Sequence, residues 1–81
     1  MSEVLVRAVA DVAAFLALSG DDVVRPDAAV GQLEQLPRTL RALDDGDRRK
    51  FLAVVARMRR EETDPERAAF LGELGESFGL E

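Results

Sequence analysis

The sequence predicts an all-α fold, a small four-helix bundle. Three observations predict it. Apolar residues recur at three- and four-residue spacing through four successive stretches. A capping residue or a helix-opening proline stands ahead of each stretch (Ser2, Pro26, Asp44, Asp64-Pro65). No run alternates apolar and polar as a half-buried strand does.

The first helix is expected over residues 2 to 19. Ser2 is placed to cap it, and Glu3 suits the positive end of its dipole. Leu5, Val9, Val12, Leu16 and Ser19 form its expected core stripe, widened by Val4, Ala8, Phe15 and Leu18. Glu3, Arg7 and Asp11 make the one polar line. A helix this apolar around its circumference is normally buried on more than one side. Gly20 is expected to end it in a left-handed conformation.

Pro26 fits the first turn of a second helix, expected to run to about Leu43. Its stripe is Val30, Leu33, Leu36, Leu40 and Leu43. Pro37 cannot donate to the Leu33 carbonyl and crowds it, at a cost of roughly 3 kcal/mol in a regular helix. The second helix is therefore expected to be kinked or broken at Pro37, near residues 35 to 37.

Asp44 is the next expected N-cap, with Asp47 three residues on as a capping-box-like partner. The third helix then runs to about Glu62, with Phe51, Leu52, Val55 and Met58 inward and Val54 at the side. Thr63-Asp64-Pro65 stops it and starts a fourth, which buries Ala68, Phe70, Leu71, Leu74 and Phe78. Gly72 and Gly75 weaken that helix by about 1 kcal/mol each relative to Ala. Gly79 is expected to end it and let Leu80 fold back on Leu74. The short connections between the second, third and fourth helices predict antiparallel neighbours.

Residues 1 to 81 read as one domain. An apolar share of 47% argues for a folded chain. Much of it is Ala and Val, which predicts modest stability or support from a second subunit. Leu80-Glu81 has the form of a cloning remnant and is weighted lightly. The chain opens Met1-Ser2-Glu3, with an acid where a secretion signal needs positive charge. Residues 4 to 18 are too short to cross a bilayer. A cytoplasmic location is the resulting expectation. Ten Arg against one Lys, with no Ile or Asn, point to a GC-rich bacterial genome.

The chain has no His, Cys, Trp or Tyr. Most side chains that do nucleophilic, acid–base or metal chemistry near neutral pH are therefore missing. The expectation is no catalytic residue, no cofactor and no metal. Asp44-Asp45-Gly46-Asp47 superficially suggests a calcium loop, but its third position is Gly46 and its twelfth is Val55, where acids are needed. A di-iron bundle needs His. No pair among the sixteen acids is singled out as a glycosidase pair.

Charge is segregated. The net is −5 over residues 1 to 47, +6 over 48 to 60 and −6 over 61 to 81. Arg49, Arg57 and Arg60 share one face of the third helix and continue into Glu61, Glu62 and Glu66. These six residues are the candidate contact surface. Asp45 with Arg49, and Arg57 with Glu61, stand at pairing distance along the helix, and the acids at its start and bases at its end suit its dipole, so a structural reading of the basic face is the stronger of the two.

Acyl carrier proteins share this size, acidity and helical class. Their prosthetic arm sits on a Ser in an Asp-Ser-Leu setting, and none of Ser2, Ser19 and Ser77 lies in one. Small helical immunity proteins that neutralise nucleases resemble this chain in class and charge, but the chain has no Tyr to match their paired binding tyrosines. The functional expectation is a non-catalytic protein-interaction module, regulatory or toxin-neutralising, steered by its acids to a cationic partner. The alternative is a homodimer through the first helix. A nucleic-acid regulator using the basic third helix ranks below both, because the chain is acidic and lacks Tyr and Trp to stack on bases.

Overall fold

Four helices form where the caps and stripes place them. In the computed structural model, which describes residues 1–81, the order is α1 (Glu3–Leu18), α2 (Pro26–Leu40), α3 (Asp45–Glu61) and α4 (Pro65–Ser77). Helix makes up 75% of the chain, and there is no strand. Ser2, Asp44 and Asp64 each accept a hydrogen bond from a first-turn backbone N–H, of Val4, Asp47 and Glu66 respectively. Those bonds satisfy donors that a helix start otherwise leaves open. The capping box at α3 is only half made: the Asp47 carboxylate receives the amino group of Met1 at 2.7 Å.

α3 is the spine. Phe51, Val55 and Met58 are buried on it as expected, but Val54 is fully buried and Leu52 only half-buried, so these two exchange the places their spacing suggested. α4 lies antiparallel beside it. Leu52 lies against Gly75, Arg59 against Gly72, and Arg48 donates to the Leu80 carbonyl at 3.1 Å. An added Cβ at Gly75 would sit 2.7 Å from Leu52 Cδ2, so this glycine sets how closely the two helices approach. Ala68 and Phe70 are half-buried, while Leu71, Leu74 and Phe78 are buried.

α4 closes as expected. Gly79 has φ +69°, the only positive φ in the chain. Leu80 N–H donates to the Gly75 carbonyl at 2.8 Å, and Gly79 N–H to the Glu76 carbonyl at 3.0 Å. This is the paired-bond helix stop that accompanies a left-handed glycine. Leu80 is left 1% exposed in the same apolar cluster as Leu74. It is a core residue, whatever the light weight its terminal position suggests.

Two expectations about α1 are corrected. α1 does not end on a left-handed Gly20. Ser19 turns extended at φ −75°, ψ 145°, and the Gly20 carbonyl then accepts from Val23 and Val24. α1 also buries a different face from the one expected. Val6, Ala10, Ala13 and Ala14 are inside, with Val9, Leu16 and Leu18 half-buried. Val4, Leu5, Val12 and Phe15 are exposed. Small residues let α1 approach the large side chains of α3 closely, and Glu3, Arg7 and Asp11 then reach charged partners on α3 and α4.

α2 runs from Pro26 through Pro37 to Leu40 without a break. Pro37 lies near the helix end, where few bonds follow, and it is buried. The broken-helix alternative is thus not adopted. Val30 is exposed rather than part of the stripe, and Ala29 takes its place. α2 packs against α1 and approaches neither α3 nor α4 along its backbone. The expected antiparallel contact between the second and third helices is absent, although Leu33, Leu36 and Leu40 still reach the shared core.

Candidate functional site

Two surfaces compete as the functional site: the charged end of α3 with the start of α4, and the outer face of α1. The first is largely committed to holding helices together. Arg57 lies 2.9 Å from the Glu3 carboxylate on α1. Arg7 on α1 donates to Glu3 at 3.2 Å and to Glu61 on α3 at 3.4 Å. Arg67 on α4 pairs with Asp11 on α1 and lies 2.7 Å from Glu62. Glu62 also accepts from the backbone of Thr63 and Asp64 across the α3–α4 turn.

Of the six candidate contact residues, Arg57, Glu61 and Glu62 therefore carry ion pairs between elements. Arg49, Arg60 and Glu66 are exposed and form no ion pair. The i, i+4 pairs anticipated from spacing are replaced. Arg48 takes Asp45, while Arg57 and Glu61 both turn to α1. A long side chain chooses the partner that tertiary packing brings, and sequence spacing lists only the local ones.

The network alters two groups. The hydrogen bond from Arg7, with the charges of Arg57, Arg7 and Lys50 behind it, holds the Glu3 carboxyl below its ordinary pKa; partial desolvation opposes this. The same bond to Glu3, helped by Glu61, raises Arg7 against its own desolvation.

A shallow cavity of about 220 Å³ lies over these pairs, lined by Arg7, Asp11, Met58, Glu61, Glu62 and Arg67. Its charges already satisfy one another. A second cavity of about 180 Å³ lies between α3 and α4, between Arg59 and Glu81. Both fall below the roughly 300 Å³ at which small-molecule sites begin. No group of three or more carboxylates gathers in metal-binding geometry.

The outer face of α1 is the larger anomaly. Val4 is 74% exposed, Leu5 59%, Val12 54%, Phe15 46% and Met1 38%. At those exposures the five side chains present on the order of 500 Å² of apolar surface, within the roughly 300–600 Å² of the largest patch on a monomer, a patch that is often functional. Ala8 lies between them and is also exposed. The ionisable groups along its margin, Glu3, Arg7 and Asp11, are already paired within the chain. Periodicity places Val4, Leu5, Ala8, Val12 and Phe15 in the core stripe, but a helix with two apolar faces has one more than a four-helix bundle of this size buries. No protein-family model, curated protein or solved structure matches this chain.

Proposed function

We propose that this chain is a non-catalytic protein-interaction module that docks through the outer face of α1. The observation that carries the reading is the exposure of Val4, Leu5, Val12 and Phe15 on one side of a single helix. An amphipathic helix laid against another protein is held by such anchors at helical spacing. The composition supports the same reading, since the chain offers no His or Cys for chemistry.

The test is affinity capture of the chain from a nuclease-treated lysate of its host, beside Val12→Glu and Arg60→Glu variants. The expected result is a stoichiometric protein, either foreign or an untagged second copy, lost with Val12→Glu and kept with Arg60→Glu. Capture that survives Val12→Glu would overturn the docking face.

A further inference from the structure

We propose that the occupant of the α1 face is a second copy of this chain, paired antiparallel about a two-fold axis. The proposal rests on the interaction-module reading above and names its partner. The juxtaposition that carries it is a seam: Met1, Leu5, Ala8, Val12, Phe15 and Ser19 follow one another at alternating steps of four and three residues. That spacing is the one by which two helices interlock side chains along a shared seam. Its helical members Leu5, Ala8, Val12 and Phe15 point away from the core, opposite Val6, Ala10 and Ala13, and Met1 and Ser19 flank the helix at either end.

Three features favour a second copy over a foreign partner. The face is free of unpaired charge, because Glu3, Arg7 and Asp11 along its margin are occupied within the chain. It therefore presents no field that selects a partner of one sign. The area also fits. Two such faces bring together about 1,000 Å² of apolar surface, the size that a specific interface has to clear. Val4 and Leu5 are the most exposed large side chains of the helix, so a second helix can reach that end of the face.

Orientation follows from side-chain size. In a parallel pair like meets like, and Ala8 faces Ala8, leaving a gap at the middle of the seam. In an antiparallel pair centred between Ala8 and Val12, Ala8 of one copy faces Val12 of the other, and Leu5 faces Phe15. Small then meets larger along the seam, which fills space as packed interiors require. A two-fold axis also makes the contact close on itself rather than propagate.

Light scattering and sedimentation across a concentration series test the proposal. The expected result is a dimer at tens of micromolar. Val12→Glu, which alters an exposed position and keeps the helical circular dichroism, should weaken association by more than about tenfold, because the change enters the interface twice and buries an unpaired charge. Added salt should leave the dimer unweakened, since two chains of net −5 repel. A dimer indifferent to Val12→Glu would overturn the proposal. So would a monomer at hundreds of micromolar. In that event a foreign protein captured by the wild type and lost with Val12→Glu leaves the interaction reading standing, and sedimentation of the monomer with phospholipid vesicles reassigns the face to a bilayer surface. Orientation has its own readout, because the chain has no cysteine of its own. Mixing Ala8→Cys with Val12→Cys should give chiefly the mixed disulfide. Faster self-crosslinking of each variant alone would overturn the antiparallel arrangement.

Discussion

The guanidinium of Arg57 on α3 lies 2.9 Å from the carboxylate of Glu3 on α1. Arg7 holds the same carboxylate from within α1 and reaches Glu61 on α3. Four charges thus alternate in sign across the helix pair. The pairs accompany the rotation of α1 that buries Val6, Ala10 and Ala13. With Glu3 and Arg7 turned toward α3, the apolar side that carries Val4 and Val12 has to face outward. A charged cluster at the end of the basic segment and an exposed greasy face are two consequences of one helix rotation.

This arrangement predicts an acid limb in stability. Arg7 and Arg57 depress the folded Glu3 pKa relative to the unfolded chain, so the contribution is present above the ordinary carboxylate pKa and lost as pH falls through the lower, folded one. Urea midpoints measured from neutral to acid pH should fall for the wild type. Glu3→Gln should start lower at neutral pH and lose less on acidification. An unchanged slope would show that Glu3 contributes nothing to the acid limb.

Apart from Gly20, which does not stop α1 in a left-handed conformation, caps and stops were legible in the sequence because they are local. Ser2, Asp44, Asp64, Pro65 and Gly79 each act on residues within one turn, and each does what its type predicts. The stripe of α3 was legible because Arg and Lys occupy much of its other side, leaving one apolar face. α1 offered no such contrast. Val, Leu, Phe and Ala surround most of it, and periodicity cannot choose between two apolar faces. The choice fell to long-range terms: the small Ala10, Ala13 and Ala14 against the large residues of α3, and ion pairs to residues 57, 61 and 67. Within the candidate contact surface, Arg57 and Glu61 find partners on α1, far off in sequence, whereas Glu62 pairs with the nearby Arg67.

Leu80 is the second-to-last residue and among the least exposed. Leu80→Ala should destabilise the chain by about 2–4 kcal/mol, the usual cost of emptying a buried leucine site. Removing residues 80 and 81 should cost at least as much, because the bond to the Gly75 carbonyl goes with them. Thermal unfolding checks this: at this chain length each 1 kcal/mol is worth roughly 4–8 °C in Tm. An unshifted Tm would mean that Leu80 is not part of the core.

Glycines on α2 and α4 should respond with opposite signs. Gly31 lies mid-helix with open space where a Cβ would go, so Gly31→Ala should stabilise by about 0.5–1 kcal/mol through helix propensity alone. At Gly75 the same gain is set against a clash with Leu52 at 2.7 Å. Overpacking of that kind costs about 1–3 kcal/mol, so Gly75→Ala should be neutral to destabilising. Urea denaturation of the two variants, side by side, decides whether the α3–α4 contact is as close as described. Equal stabilisation of both would show that it is not.

The two faces of α1 can be told apart by placing the same charge on each. Val6 is 0% exposed and Val12 is 54% exposed on the same helix. Val6→Glu buries a carboxylate with no partner among Phe51, Val54 and Leu74, a change that costs several kcal/mol against a total of about 4–12 kcal/mol for a chain of this length. That variant should be largely unfolded by circular dichroism. Val12→Glu replaces a solvent-facing residue with a better helix former, and in dilute solution its stability should stay within about 0.5 kcal/mol of wild type. Had the stripe of Leu5, Val9, Val12 and Leu16 been the core, the order would be reversed: Val12→Glu would unfold the chain and Val6→Glu would be tolerated. The pair of variants therefore tests the rotation of α1, on which both the docking face and its proposed occupant depend.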